Sequence, residues 1–284
     1  MHRPLLVTGS YGQLGRAVVA AAAGRGMTVE GRDLDTLDIT DGAAVGRWIG
    51  ASRPRAVVNC AAYTAVDDCE THEADATMIN ATAVGHLADA CNDVGAALIQ
   101  ISTDYVFDGN GSRPYREDDA VAPASAYGRT KLLGERAARS AAHHLIIRTA
   151  WLYGHGGHHF VGAIRRQIDD GRRCLRVVAD QIGSPTFCGD LAVALIDLIG
   201  ADASGTVHAV NDGATSWHGF ATEIARALGA DVEVVPVSTD EFPRPAPRPA
   251  YSVLDTGRLA SLTGRRLPPW QDALARYLEE SCES

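Results

Sequence analysis

The stretch Leu5-Leu6-Val7, followed by Gly9-Ser10-Tyr11-Gly12-Gln13-Leu14-Gly15, decides the fold of this chain. The first three residues are an apolar run typical of a strand, and the Ala- and Val-rich residues 17–23 are typical of a helix. At such a strand-to-helix turn, glycines let the backbone approach a pyrophosphate, which binds free N–H groups at the helix N-terminus. The Gly-x-x-Gly-x-x-Gly spacing therefore predicts a dinucleotide-binding turn.

Strand-like and helix-like segments alternate after this turn. Apolar, strand-like runs occur at 56–60, 97–102 and 144–148, and a long segment of helical composition covers 73–94. This alternation predicts an α/β fold with a Rossmann-like, doubly wound parallel sheet covered by helices on both faces. Ligands of such sheets bind beyond the carboxyl ends of the strands, so the residues that follow these strands should line one rim.

The regular alternation weakens after Trp151. Residues 176–178 and 206–208 are candidate short strands, and residues 217–228 are a candidate helix with Ser216 as its N-cap. We expect a dinucleotide-binding domain and a smaller α/β substrate-binding domain. The expected boundaries are 1–150 plus about 187–212 for the first domain, and 151–186 plus 213–284 for the second.

The composition is that of an ordinary globular enzyme. The chain has 284 residues, 46% of them hydrophobic, and a formal net charge of −9 without a basic block, so we expect no nucleic-acid partner. No apolar run reaches membrane-spanning length, and the start Met1-His2-Arg3-Pro4 does not have the pattern of a signal peptide. We expect a cytoplasmic protein, and the sequence leaves monomer and homodimer open. The cysteines, expected as free thiols, are at 60, 69, 91, 174, 188 and 282.

A phenol and an ammonium group stand four residues apart in Tyr127-Gly-Arg-Thr-Lys131, within a segment of helical composition. Side chains at this spacing share one face of a helix. A phenol has a pKa of about 10, and a neighbouring cation lowers it. Lowering the pKa to about 7 takes roughly 4 kcal/mol, more than one lysine supplies, so an oxidised nicotinamide should provide a second positive charge. The pattern predicts proton transfer by Tyr127.

Together these motifs resemble those of the dTDP-4-dehydrorhamnose reductase family, a group of extended short-chain dehydrogenases/reductases. The matching stretches cover nearly the whole chain in order. They are 9–15, 37–41, 59–67, 102–109, 114–117, 127–131, 147–154, 180–186 and 248–252.

The resemblance implies that the chain reduces the 4-keto group of dTDP-4-dehydro-β-L-rhamnose to dTDP-β-L-rhamnose, with hydride from NADPH or NADH. It implies that Tyr127 donates the proton, and that Lys131 tunes its pKa and donates to the nicotinamide ribose. Thr103 occupies the position of the hydroxyl that polarises the carbonyl. Donors aimed at the developing alkoxide stabilise the transition state, which agrees with these roles.

The resemblance also implies binding residues. Thr103, Asp104, Tyr127 and Trp151 are expected to contact the sugar. The residues expected to contact the dinucleotide are Gly9, Gly12, Gln13, Leu14, Gly15, Asp38, Ile39, Ala62, Tyr63, Thr64, Tyr127 and Lys131. Trp151 as a core residue and Asp38 as a turn cap are the alternative interpretations.

Two further stretches suggest ligand contacts from their chemistry. An acid after the second strand would pair with a ribose 2′-OH, and an arginine there would favour a 2′-phosphate. The sequence offers both, Glu30 and Arg32, and we expect NADPH with NADH as a second cofactor. Four prolines at 243–249 alternate with Arg244 and Arg248, which predicts either an extended linker or a stiff loop that presents both guanidiniums to a diphosphate, with Arg248 as the expected substrate-binding residue.

Other functions remain as alternatives. Sugar-nucleotide dehydratases place Asp-Glu after the Ser/Thr, whereas Asp104 is followed by Tyr105, which disfavours elimination. The 4-epimerases share the Tyr and Lys but keep their dinucleotide. A non-catalytic NADP-binding subunit, similar to the methionine adenosyltransferase beta subunit, is a third possibility. The histidines at 143–144 and 155–159 lack acidic or cysteine partners at ligand spacing, so we expect no metal site.

Overall fold

The computed structural model describes residues 3–281, so the expectations for the start of the chain and for Cys282 lie outside the described residues. The strands are β1 (Leu5–Thr8), β2 (Val29–Arg32), β3 (Ala56–Asn59), β4 (Ala97–Thr103), β5 (His144–Thr149), β6 (Leu152–Tyr153), β7 (Cys174–Val178), β8 (Ile182–Gly183), β9 (Thr186–Phe187), β10 (Gly205–His208), β11 (Thr215–Ser216) and β12 (Glu233–Val237). The α-helices are α1 (Gln13–Gly24), α2 (Gly42–Ser52), α3 (Glu73–Thr77), α4 (Ala83–Val94), α5 (Ala126–Ala138), α6 (Phe160–Asp169), α7 (Cys188–Gly200), α8 (Trp217–Ala227), α9 (Gly257–Thr263) and α10 (Trp270–Glu280).

A central sheet of parallel strands runs in the order β10-β5-β4-β3-β1-β2. Side chains of a strand alternate between the two faces. On β1, Leu5 and Val7 pack in a core with helices α1 and α7, whereas Leu6 packs in a second core with α2 and α4. Because helices cover both faces, the inner strands β1, β3, β4 and β5 are mostly apolar. The predicted doubly wound α/β sheet is confirmed.

Hydroxyl and carboxylate side chains define several helix starts. Asp41 accepts from Ala44 N at the start of α2, and Ser125 accepts from Gly128 N at 3.1 Å at the start of α5. Ser216 caps α8 as predicted, accepting from Gly219 N at 2.9 Å. A cap of this kind stabilises by about 1 kcal/mol, and the Ser125 cap fixes where the helix that carries Tyr127 begins.

The segment 73–94 is more complex than the single helix that its composition predicts. A π-helical turn, Met78–Thr82, joins α3 to α4. Its Asn80 is buried, and the carbonyl oxygen of Asn80 would lie only 2.0 Å from a Cβ at Gly134 of α5. This close approach brings the π turn against the helix that carries Tyr127.

After Trp151, α7 and β10 belong to the central sheet and its first core, and most other elements pack around aromatic side chains. The parallel pair β7–β12 and helices α6, α8 and α10 enclose a third core. Its members include Tyr153, Phe187, Phe220 and Trp270. The division into two domains stays a prediction. Across residues 3–281, no helix combines the length and the apolar character needed to cross a membrane.

Candidate active site

The glycine turn between β1 and α1 is shaped so that only glycine fits at its critical positions. Gly9 has a φ of +62°, and a Cβ there would lie 2.6 Å from Ala61 N. A Cβ at Gly15 would lie 2.1 Å from Gly9 O. Gly12 is the N-cap residue of α1 and has no side chain to occupy the first-turn N–H groups. The turn is therefore a cradle for an anion at a helix N-terminus, and its residues fit a bound pyrophosphate.

The neighbouring residues Gln13 and Leu14 point in different directions. The side chain of Leu14 is buried in the core, whereas Gln13 Nε2 donates to His158 O at 3.2 Å. The glycine-rich loop 154–158 thus contacts the start of α1, next to the glycine turn.

At the end of β2, the predicted pair Glu30 and Arg32 bind each other. Arg32 Nε and Nη2 donate to Glu30 Oε1 at 3.2 and 2.8 Å, and Trp48 Nε1 donates to the same oxygen at 2.9 Å. The next residue, Asp33, accepts from Tyr11 N of the glycine turn at 2.7 Å. Asp33 was not among the predicted site residues, although it is the first acid after β2.

The predicted dinucleotide contacts after β3 lie on a loop that Asn80 holds. Asn80 Oδ1 accepts from Tyr63 N at 2.9 Å, and Asn80 Nδ2 donates to Tyr63 O at 3.1 Å. Ala62 is half-buried and Thr64 is exposed. Tyr63 OH donates to Asp68.

Asp38 and Ile39 lie in the turn that leads to α2. Asp38 Oδ1 accepts from Thr40 N at 2.9 Å and from Thr40 Oγ1 at 2.7 Å, which is the turn-capping contact of the alternative interpretation. The side chain of Ile39 is buried.

The structure brings Thr103, Tyr127 and Lys131 together. Tyr127 and Lys131 lie one turn apart on α5, and the Tyr127 phenol lies near the side chain of Thr103 at the end of β4, which acts to lower the pKa of the phenol. Lys131 is 4% exposed, and its Nζ donates to Ile101 O at 2.7 Å, two residues before Thr103. One helix and one strand therefore hold all three groups.

The triad lies beside the glycine turn. Cys60 follows β3, and its carbonyl carbon would lie 2.8 Å from a Cβ at Gly9. On its other side, the Cys60 thiol interacts electrostatically with Lys131. Cys60 thus connects the glycine turn to the region of Lys131, at the carboxyl ends of β1, β3 and β4, where ligands of such sheets bind.

The electrostatics of Tyr127 differ from the expectation. Burial, followed by the negative charge of Asp104, raises the pKa of Tyr127 above its usual value, and the Thr103 side chain opposes this shift. The Lys131 ammonium group donates to the Ile101 carbonyl, and Lys131 is not among the groups that shift the pKa of Tyr127 most in the chain by itself. The lowering of this pKa by Lys131 together with a second cation stays a prediction.

Asp104 is a buried carboxyl group next to the triad. Thr103 Oγ1 donates to Asp104 Oδ1 at 3.0 Å, and burial raises the pKa of Asp104 to about 6. Its other oxygen, Oδ2, and Ser252 Oγ are both buried without a hydrogen-bond partner among the described residues. The Ser252 side chain nevertheless opposes the rise in the pKa of Asp104, so it lies near this carboxyl group.

Trp151 is held in an unusual conformation after β5. Its φ is +49°, and its indole stacks on Trp217 at the start of α8, with ring centroids 3.5 Å apart. A non-glycine residue in this region of φ is uncommon and points to a functional constraint. Sequence reasoning identified Trp217 only as the start of a helix, because its contact with Trp151 spans 66 residues of chain.

Arg248 forms an ion pair at the same rim, and Arg244 does not join it. Arg248 Nη2 lies 2.8 Å from Asp67 Oδ1, and Asp67 also accepts from Ala246 N. The guanidinium of Arg244 instead lies over the ring of Phe242, 5.4 Å from its centroid. Of the two arginines of the proline-rich loop, only Arg248 therefore forms an ion pair with the loop that follows β3.

Lys131 has a property that the motif analysis did not use. The chain contains 25 arginines and one lysine, and that lysine is Lys131. The count is visible in the sequence and is a signal that this position requires an ammonium group. Residues 3–281 contain no group of three or more His, Cys, Asp and Glu side chains placed to hold a metal ion.

A parallel sheet with a glycine turn, and a Tyr and a Lys on one helix beside it, define the class of extended short-chain dehydrogenases/reductases. The family model described as the RmlD substrate binding domain matches residues 2–282, and the chain belongs to this family. The family predicted from the motifs is confirmed.

Three relatives illustrate the similarity. A dTDP-4-dehydrorhamnose reductase from Streptomyces griseus is 46% identical in an alignment 285 residues long, which covers 98% of this chain and 93% of that protein. A dTDP-4-keto-6-deoxy-D-glucose reductase from Streptomyces niveus is 40% identical over 276 residues, with 95% of each chain covered. The crystal structure of a dTDP-4-dehydrorhamnose reductase from Bacillus anthracis in complex with NADP has a TM-score of 0.95 and 38% identity, and covers 99% of this chain and 100% of that one.

Proposed function

We propose that this protein reduces the 4-keto group of dTDP-4-dehydro-β-L-rhamnose to dTDP-β-L-rhamnose with NADPH, in the cytoplasm, as a monomer or homodimer. The observation that supports it most strongly is the cluster of Thr103, Tyr127 and Lys131 beside the glycine turn. Residues 151–186 and 213–284, which include Arg248, would form the substrate domain.

The side chains divide the work between binding and proton transfer. The Thr103 hydroxyl, which donates to Asp104 Oδ1 in the chain by itself, would turn its one proton to the substrate carbonyl oxygen. Tyr127 delivers the proton as that oxygen becomes an alkoxide. A raised pKa of Tyr127 suits this direction, because the phenol stays protonated until a strong base forms in front of it. Lys131 anchors the ribose of the dinucleotide, which supplies the hydride when bound. The Arg248 guanidinium would exchange Asp67 for a diphosphate oxygen.

The first prediction concerns Tyr127→Phe. Loss of the proton donor should reduce turnover by about 10²–10⁴-fold, because general acids contribute that much. NADPH affinity should stay within a few-fold of wild type, since the ring remains. The assay follows loss of the reduced nicotinamide absorbance with dTDP-4-dehydro-L-rhamnose, and binding is measured by titration calorimetry. A variant that keeps most of its rate would contradict the role of Tyr127.

A second candidate substrate is another dTDP-linked 4-keto-6-deoxy sugar. The Streptomyces niveus relative, which is named for dTDP-4-keto-6-deoxy-D-glucose as its substrate, favours this alternative. A panel of nucleotide-linked 4-keto sugars, tested with both NADPH and NADH, separates the two. Absence of turnover with every sugar, together with intact NADPH binding, would instead support the non-catalytic subunit.

A further inference from the structure

A carboxylate that the mechanism does not use lies one helical turn beyond Lys131. Glu135 of α5 is fully buried. Its Oε1 accepts from Ser102 Oγ at 2.7 Å and from Arg148 Nε at 2.8 Å, and its Oε2 accepts from Arg148 Nη2 at 2.9 Å. Burial works to raise the pKa of Glu135, but the contacts with Arg148 outweigh it and hold this pKa below its usual value. Glu135 is therefore a fixed negative charge inside the protein.

Lys131 needs such a charge nearby. Its ammonium group is buried, and its one hydrogen bond among the described residues goes to the neutral Ile101 carbonyl. Burial lowers the pKa of Lys131 to about 8, and the charge of Glu135 works against this shift. Side chains at i and i+4 share one face of a helix, so the charge of Glu135 acts on Lys131 without forming a direct ion pair with it.

We propose that Glu135 is a positioning residue for Lys131, locked between β4 and β5 by Ser102 and Arg148, that keeps the buried ammonium group charged for the dinucleotide. Arg148 is needed for this role because a buried carboxylate without a cationic partner would take up a proton and lose its charge. The inference rests on the proposed function only in the identity of the ligand that Lys131 serves.

The elements packed around Lys131 and Glu135 carry other titratable groups. Arg139, the C-cap residue of α5, reaches Glu135 Oε2 at 3.3 Å from a half-exposed position. Cys60 after β3 faces Lys131, and His208 of β10 faces Arg148 and Glu135. The Cys60 thiol is kept neutral because burial raises its pKa to about 12, and burial lowers the pKa of His208 to about 3. Glu117 also contacts this group, because its Oε1 accepts from His208 N at 3.0 Å and its backbone oxygen accepts from Arg148 Nη1 at 3.3 Å. Glu135 is the buried carboxylate one helical turn from Lys131.

The test is a direct titration of the lysine. Because Lys131 is the only lysine, full-length protein grown with ¹³C-labelled lysine gives one side-chain NMR signal to follow against pH. In Glu135→Gln, the midpoint should move down by about one pH unit, since a supporting negative charge is lost. A merely structural role predicts the opposite direction, because loosened packing admits water and returns the midpoint toward 10.5. A midpoint that rises or stays in place overturns the proposal.

Two further variants keep the test decisive. Glu73→Gln removes the same charge from a partly exposed pair in which Arg129 binds Glu73 at 2.9 and 2.8 Å, and it should leave the lysine midpoint unchanged. If Glu135→Gln does not fold because Arg148 is left without its partner, Glu135→Gln/Arg148→Met removes both charges at little cost. That double variant should still titrate below wild type, and a midpoint at or above wild type overturns the proposal.

NADPH affinity provides a second readout. In Glu135→Gln, the Kd should rise about five- to tenfold at pH 8.5 and less than twofold at pH 6, where the lysine is protonated in both proteins. An equal loss at both pH values would overturn the proposal. If no form of the protein bound NADPH, the proposed function would fail, yet the NMR titration would still decide the role of Glu135.

Discussion

At the residue scale, Asp33 connects the end of β2 to the glycine turn. It accepts from Tyr11 N at 2.7 Å and from Leu34 N at 2.8 Å, so its carboxylate is fixed at the place where a Rossmann-like fold receives the adenosine ribose. Arg32, the residue expected to favour a 2′-phosphate, is meanwhile held by Glu30. The balance between the two cofactors therefore depends on a charge that the motifs did not single out.

Asp33→Asn should shift cofactor preference toward NADPH. Removing a negative charge near a 2′-phosphate relieves repulsion, so we expect the NADPH Kd to fall several-fold relative to that of NADH. Asp35→Asn removes the same charge from an exposed position two residues along and serves as the control. Calorimetric titration of both variants with both cofactors measures the ratio. An equal change in the two Kd values would show that Asp33 does not discriminate.

At the element scale, the π-helical turn between α3 and α4 organises one wall of the site. An α-helix accommodates an extra residue as a π turn, and such turns are frequent at functional sites. Here the turn places Asn80 where it binds both backbone groups of Tyr63 and also Thr130 Oγ1 of α5, at 3.1 Å. The loop after β3 and the helix that carries Tyr127 are thereby joined through one amide.

Asn80→Ala should weaken both stability and dinucleotide binding. Three hydrogen bonds are lost and buried partners are left unpaired, which costs about 2–3 kcal/mol. Since the Tyr63 loop loses its anchor, NADPH affinity should also fall. Asn92→Ala also breaks contacts, to Ser140 O and Ala142 N, but at the surface, and it should lower the Tm slightly without changing the Kd. Equal NADPH affinity in both variants would refute the anchoring role.

Local patterns in the sequence predict the elements and the motif residues, and they miss the contacts between distant segments. The spacing of Gly9 to Gly15 and of Tyr127 to Lys131 is a local property, and both features occur where the sequence placed them. The stack of Trp217 on Trp151 and the π turn at Asn80 depend on tertiary packing. Likewise, nothing in residues 131–135 alone shows that Arg148 and Ser102 converge on Glu135.

At the scale of the whole molecule, burial of His208 links folding stability to pH. His208 pairs with Arg148 across the edge of the central sheet and is fully buried. Burial, followed by the Arg148 charge, lowers the pKa of His208 from 6.5 to about 3. Above pH 6.5 the ring is neutral in both folded and unfolded chains. As pH falls below 6.5, only the unfolded chain takes up the proton, so stability decreases.

Urea unfolding at pH 7 and pH 5 measures this effect. We expect His208 to account for a loss of about 2 kcal/mol at pH 5, by linkage between the two pKa values. In His208→Gln, which does not titrate, the pH dependence should be weaker by that amount, whatever the variant's stability at pH 7. The same slope in both proteins would mean that His208 does not contribute.

The presence of Lys131 as the only lysine, buried to 4% exposure, has a practical consequence. Amine-directed acylation has one side-chain target in the molecule, and that target can react only when the crevice opens. The rate of Lys131 acylation, followed by intact mass, would therefore report how often the crevice opens. A bound dinucleotide should slow this acylation.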